Sequence, residues 1–219
     1  LEVVVLSGSP VAMPEVHEMA DAVVFAWYPG QEGGRAIADV LFGDAIPSGR
    51  LPLTFPKSTD DLPPYDDYSM KGRTYRYMTK EPLYPFGFGL STTTFSYGNL
   101  ELSKSTIAAD GELAAKVQVT NEGEWAGEEV VQLYVSALDA SVDAPLASLE
   151  AFDRVFVGPG ESETVTFTVT PEMLAIVNDA GEAVVEPGRF RLTVGGASPG
   201  ARAVALGAPK PAEAVVTVE

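Results

Sequence analysis

Cysteine is absent from these 219 residues, and histidine occurs once. Without cysteine there is no disulfide, no thiol nucleophile and no thiolate metal site. A lone His17, with no His/Asp cluster around it, argues against a metal centre and against a Ser-His-Asp triad. Basic residues are scarce: 14 Lys and Arg stand against 31 Asp and Glu, for a net charge of −17. That balance excludes nucleic-acid backbone as a partner and favours a neutral or cationic one. No apolar run reaches membrane-spanning length, so no membrane partner is expected. The chain also lacks an initiator methionine. It opens at Leu1 with "LEVVVLSG", which reads as a buried strand, and no signal peptide precedes it. A cut or processed polypeptide that starts inside a fold is the expectation.

Apolar residues make up 46% of the chain, enough for real cores. Three regions differ in pattern. Residues 1–56 alternate in the α/β manner. "LEVVVL" and "AVVFAW" are short continuous apolar runs, as in parallel strands covered on both faces. "MPEVHEMA" between them reads as a short helix. A second helix is expected from Glu32 to Phe42, with Ile37, Val40 and Leu41 on one face and Gly43 as its C-terminal cap. "LPLTF" reads as one more short strand. Crossover handedness then makes this the end of a mostly parallel sheet that the region is too short to complete.

Residues 57–97 are dense in Pro, Gly and Tyr and have little periodicity. A connector of that length is functional or disordered, and its aromatic content argues for order. Residues 98–219 alternate apolar and polar positions. Leu113, Ala115, Val117 and Val119 form one inward set. Val131, Leu133 and Val135 form another, Val165, Phe167 and Val169 a third, and Phe190, Leu192 and Val194 a fourth. Turn signals such as "VGPGES" and "NDAGEA" separate them, which predicts about seven short strands in a β-sandwich. With 19 acidic and 7 basic residues, this region reads as a solvated acidic shell.

The turn "PGQEGG" between strand and helix could cradle a phosphate on helix N-terminal amides. It lacks the Lys-Ser/Thr of a P-loop and the G-x-G-x-x-G spacing, and Glu32 would repel an anion. Gly30, Gly33 and Gly34 therefore read as packing residues, and Glu32 as an acid in the helix's first turn, where the macrodipole favours it. Ser7 in "LSGSP" lacks the G-x-S-x-G context and reads as a strand end. The neighbouring pairs Asp60–Asp61, Asp66–Asp67 and Glu128–Glu129 are not poised for joint catalysis, since adjacent strand residues face opposite ways. Tyr65, Tyr68, Tyr75, Tyr77, Tyr84, Phe86 and Phe88 could stack on a sugar, with Arg73 and Arg76 donating to hydroxyls. Most are expected to join the two domains by burying ring area. Tyr65, Tyr68 and Lys71 are the candidates for a cleft rim.

"AWYPGQEGGRAIADVLFGDAIPSGRLPLTFPKS" resembles the end of the α/β-sandwich domain of family 3 glycoside hydrolases. "RTYRYMTKEPLYPFGFGLSTTTFSY" is similar to the segment that follows it there. "VTNEGEWAGEEVVQLYV", "FDRVFVGPGESETVTFTVTPEMLA" and "VVEPGRFRLTVGG" resemble the family's fibronectin type III-like domain. The resemblance runs in order over nearly the whole chain and is strongest to β-glucosidases. It implies an α/β region, the end of an α/β-sandwich, followed by an all-β fibronectin type III-like sandwich. It implies a retaining hydrolase of terminal β-D-glucosidic bonds, working in carbohydrate metabolism without a cofactor. An Asp nucleophile would sit on an N-terminal (β/α)8 barrel. A Glu acid/base would sit upstream of the stretch matching Leu1, with the two carboxyls roughly 5 Å apart. Neither maps onto this chain, so no catalytic residue and no metal ligand is assigned, and the chain alone is expected to be inert. Its implied partners are the missing barrel and first α/β-sandwich segment, as another chain or cleaved part, and a β-glucoside or oligosaccharide substrate. An extracellular or periplasmic bacterial setting is expected. A β-xylosidase of the same family and a non-catalytic carbohydrate-binding or adhesive sandwich stay open as alternatives.

Overall fold

The computed structural model describes all residues from 1 to 219. The first part holds β1 (Glu2–Val5), α1 (Pro14–Met19), β2 (Ala22–Phe25) and α2 (Gly33–Phe42). β1 and β2 run parallel, from Glu2 opposite Ala22 to Val5 opposite Phe25. A parallel pair needs a crossover, and α1 supplies it. That helix starts at Pro14, whose missing N–H is no loss in a first turn. In α2, Ile37, Val40 and Leu41 are half-buried, and the helix stops at Gly43, which takes the left-handed conformation with φ 84°.

The sheet of the first part has only these two strands. "LPLTF" does not extend it, contrary to the sequence reading. It makes a single bridge, Phe55 to Tyr84, and exchanges backbone hydrogen bonds with residues 83–88 of the connector. Pro52 and Pro56 carry no N–H, so the segment cannot form a regular ladder. Phe55 is nonetheless fully buried.

The connector contains a 3-10 turn at Thr59–Asp61 and the one-turn α3 (Thr74–Tyr77). Ser58 and Asp61 cap the 3-10 turn reciprocally. The sandwich follows. Its first strands are β3 (Phe95–Tyr97), β4 (Glu101–Leu102), β5 (Thr106–Ile107), β6 (Leu113–Asn121), β7 (Gly127–Ala137), β8 (Ser148–Val157) and β9 (Ser162–Val169). A turn of helix, α4 (Pro171–Leu174), and a small hairpin of β10 (Ile176–Val177) and β11 (Ala183–Val184) lead to β12 (Gly188–Gly195), α5 (Ala201–Ala205) and β13 (Ala212–Val218). One sheet has the order β5-β13-β12-β7-β8; the other sets β3 and β4 beside β6, with β9 also paired to β6. Phe95 already belongs to the sandwich core, so β3 lies within the stretch read as connector.

Alternation sorts the core as the pattern predicts. Leu113, Ala115, Val117, Val119, Val131, Leu133, Val135, Val165, Phe167, Val169, Phe190, Leu192 and Val194 all lie in one buried cluster between the sheets. β7 goes further, because its other face is covered too. Gln132, Tyr134 and Ser136 are buried against the connector side. A second, smaller cluster holds Met13, Phe55, Leu83, Tyr84 and Phe88 together with Ala197, Ala203 and Ala208. The segment between β12 and β13 thus leaves the sandwich and completes the core of the first part.

Candidate functional site

The junction between the two parts is built from buried polar groups and stacked rings. Arg50, at the end of the first part, reaches into the sandwich and donates to Glu129 Oε2 at 2.5 Å, while Tyr97 Oη donates to Glu129 Oε1 at 2.7 Å. Both charged side chains are almost wholly buried. Burial pushes the Glu129 carboxyl up, and the Arg50 guanidinium and the Tyr97 hydroxyl oppose that shift. Burial and the adjacent Glu129 raise the Tyr97 phenol far above its ordinary value. An ion pair of this kind is weak evidence of net stabilisation, but removing one partner strands a buried charge.

A second contact lies along β7. Gln132 Nε2 donates to the carbonyls of Gly87 (3.1 Å) and Gly196 (2.8 Å), and Tyr134 Oη donates to Gln132 Oε1 at 2.6 Å. Gly87 has φ 76°, and a Cβ there would lie 2.1 Å from Gln132 Oε1. Only glycine lets the backbone turn and approach this closely. Tyr75 stacks on Phe86 with ring centroids 4.3 Å apart, meets Tyr134 edge-on, and accepts a hydrogen bond from the Leu149 N–H. Tyr84 stacks on Phe88, and its hydroxyl lies 3.0 Å from His17 Nδ1. His17 therefore sits in a polar contact between α1 and the connector, with Arg202 of α5 beside its Nε2. No three His, Asp or Glu side chains come together as a metal site.

Tyr65 and Tyr68 behave differently from these packed rings: they are 96% and 91% exposed. The segment that carries them is nonetheless braced. The Arg73 guanidinium donates through Nε and Nη2 to the carbonyls of Pro64, Asp67 and Ser69, so it serves the loop's own backbone. Asp67 accepts from the Ser69 N–H, which holds its carboxyl below the usual range. Thr74, which ends the loop, has φ 52°, a costly conformation for a β-branched residue. Lys71 is exposed on the same loop. A nearby cleft of about 270 Å³ lies between residues 75–85 and 198–203. Its charges are already engaged: Lys80 with Asp61, Glu81 with Lys57, and Arg202 with the Leu83 carbonyl.

The remaining sequence candidates fall into structural roles. Asp61 caps its turn and pairs with Lys80. Glu128 and Glu129 do point to opposite faces of β7. Glu128 pairs with Arg154, whose guanidinium also meets Ser48. Ser7 closes a local turn with Ser9 just after β1. Glu32 is exposed and occupies the position before the first turn of α2, with no capping hydrogen bond, so it sits one step earlier than expected. Of the three turn glycines only Gly33 is closely approached. A Cβ there would lie 2.4 Å from the Pro29 ring, whereas Gly30 and Gly34 face open space. Arg50, Tyr97, Gln132 and Tyr134 are not singled out by motif reasoning. One signal was available. Glu129 occupies a core-facing alternate position, two residues before Val131, and an acid there requires a buried partner.

The architecture is an α/β piece locked to a fibronectin type III-like sandwich, and comparison with known proteins matches both halves. The family model described as the glycosyl hydrolase family 3 C-terminal domain matches residues 2–92. The one described as a fibronectin type III-like domain matches residues 129–198. The chain belongs to glycoside hydrolase family 3, as its C-terminal part. It is 40% identical over 207 residues to a periplasmic β-glucosidase of Salmonella typhimurium, matching 89% of this chain and 27% of that protein. It is 45% identical over 194 residues to a xylan 1,4-β-xylosidase of Xylanibacter ruminicola, matching 88% of this chain and 22% of that protein. The structure of a β-glucosidase from Erythrobacter marinus superposes on all of this chain with a TM-score of 0.85 at 34% identity, over 28% of its own length. A Listeria innocua β-glucosidase in complex with isofagomine gives 0.83 at 33% identity, over 99% of this chain and 31% of its own. The chain thus spans between about a fifth and a third of the relatives it matches.

Proposed function

We propose that the chain is the C-terminal part of a retaining β-glucosidase, which hydrolyses terminal β-D-glucosidic bonds and needs no cofactor. The observation that carries this reading is the superposition of the whole chain on β-glucosidase structures at over 30% identity. In this reading the nucleophilic Asp belongs to the (β/α)8 barrel and the acid/base Glu to the α/β-sandwich segment upstream of the stretch matching Leu1, and neither maps onto this chain. Of its own neighbouring carboxylates, Asp61 and Asp67 are held by local hydrogen bonds, Asp60 and Asp66 stand exposed in solvent, and Glu128 and Glu129 face opposite ways in separate ion pairs. The chain's part is to complete the α/β domain and hold it to the sandwich through Arg50, Glu129 and Gln132. We place Tyr65, Tyr68 and Lys71 at the rim of the substrate cleft. Their exposure on a braced loop supports this, since rigid aromatic rings bind sugars at low entropic cost. A periplasmic or extracellular setting follows the Salmonella relative.

The test is hydrolysis of a panel of nitrophenyl glycosides by the full-length enzyme and by the 219-residue chain. The full-length enzyme is expected to prefer the β-glucoside, and the chain alone to be inactive. The identity to the Xylanibacter xylosidase favours a second reading, and preferential turnover of the β-xyloside would establish it. In the full-length enzyme, Tyr65→Ala with Tyr68→Ala should raise KM for disaccharides by about tenfold and leave kcat on a small aryl glucoside nearly unchanged. An unchanged KM would remove the loop from the cleft.

A further inference from the structure

The outer face of the five-stranded sheet is only half covered. Gln132, Tyr134 and Ser136 bury it against the connector side. Residues directly opposite on antiparallel strands share a face. β8 sets Phe156 opposite Glu128, Arg154 opposite Val130 and Phe152 opposite Gln132. These three side chains therefore continue the same face to the last strand of the sheet. There the cover ends. Ser48 reaches Arg154, but Phe152 and Phe156, on either side of that arginine, are 68% and 64% exposed. Two large rings on an open edge strand invite association unless something covers them.

We propose that Phe152 and Phe156 anchor the barrel-bearing portion of the polypeptide onto the sandwich. The proposal rests on the reading given above. Two observations select this occupant. The strip is continuous with a junction that already joins sandwich to α/β piece, so the body that extends one extends the other. The relatives also carry a great deal more chain than is present here; this one matches 27% of the Salmonella enzyme. A second copy of the chain fits less well, because Asp153, Glu150 and Glu161 lie on or beside β8 in a molecule of net charge −17. A glycan fits less well too. Arg154, the polar group between the rings, spends its Nη2 on Glu128 and Ser48 and its charge on Glu128, so the strip offers two apolar rings with a neutralised cation between them rather than the cluster of polar groups a sugar requires.

The chain has no cysteine, which gives a direct assay. Phe152→Cys, Phe156→Cys and Val177→Cys are labelled with a thiol reagent in the 219-residue chain and in the full-length enzyme, and the modified peptides are followed by mass spectrometry. Val177 is exposed on the β10 hairpin and serves as the control. Labelling at 152 and 156 should be at least about tenfold slower in the full-length enzyme, and equal at 177. Deuterium exchange of the unsubstituted proteins should show the same added protection over 148–157, a readout that needs no variant. Equal labelling and exchange in an enzyme that hydrolyses glycosides would overturn this proposal alone. A full-length protein without glycosidase activity would sink the functional reading as well. Labelling at 152 that slows as the isolated chain is concentrated would assign the strip to a second copy, and slowing by added cello-oligosaccharide would assign it to sugar. Either result overturns the proposal.

Discussion

The sandwich and the α/β piece are made from similar residues, yet only the sandwich is closed. Between its sheets lies a cluster of 21 buried residues, and β6, β7 and β9 each place every second side chain in it. In the α/β piece no residue of β1 or β2 is fully buried. Leu1, Leu6, Tyr28 and Phe42 stand in solvent. Its own core is the smaller cluster, and residues from the connector and the β12–β13 excursion supply most of it. The lesson is that an apolar run such as "LEVVVL" states how much cover a strand requires, not whether the cover is present. Two parallel strands and two helices lack the area to bury valines on both faces.

The comparison can be broken most directly by cutting cavities on each side. Phe167→Ala in β9 should lose about 3–5 kcal/mol in urea unfolding, whereas Val24→Ala in β2 should lose about 1 kcal/mol or less. Equal losses would mean that the α/β piece is as well packed as the sandwich. The junction offers the next effect. Arg50→Ala leaves Glu129 buried without its cation and should cost about 3–5 kcal/mol, while Arg50→Met with Glu129→Leu should recover most of that. A double-mutant cycle measures the coupling, and a coupling energy near zero would remove the clamp from the account.

Smaller effects sharpen the comparison within the turn at residues 29–34. Gly33→Ala brings a methyl group against the Pro29 ring and should cost about 1–3 kcal/mol. Gly34→Ala meets open space and should be neutral or stabilise by up to about 1 kcal/mol. Equal thermal shifts for the two would show that the turn relaxes freely. The smallest effect concerns acid. Arg189 holds the Asp139 carboxyl down at about 2, against 3.8 for the free group. The unfolded chain therefore takes up a proton at Asp139 before the folded one does. The contribution is present above the unfolded value and is lost as pH falls from about 4 towards 2. Asp139→Asn should flatten that part of the stability profile, and an unchanged slope between pH 4 and pH 2 would show that the pair adds nothing.

Much of this was legible before any coordinates. The second helix, read to within one residue at its start, its Gly43 cap and the inward sets of β6, β7, β9 and β12 follow from period and turn chemistry alone. "LPLTF" was misread because strand periodicity does not record a partner. Its prolines and the nearness of residues 83–88 turned it into a bridge to the connector. The connector aromatics could be named but not sorted. Tyr84 became a buried contact, Tyr75 a half-buried one, and Tyr65 and Tyr68 became exposed, in segments of like composition.

Local order in the sequence determined the alternating core, the helix ends, the acidic shell and the family, because each depends on residues close along the chain or on long ordered motifs. Tertiary structure alone decided that Arg50 would find Glu129, that Gly87 would lie against Gln132, and that the stretch from Ala197 to Ala208 would serve the other domain's core. Arg50 and Glu129 are 79 positions apart. Neither residue's neighbours carry any sign of the other. The pair forms because a buried charge without a partner is costly, and only the folded chain brings one within reach.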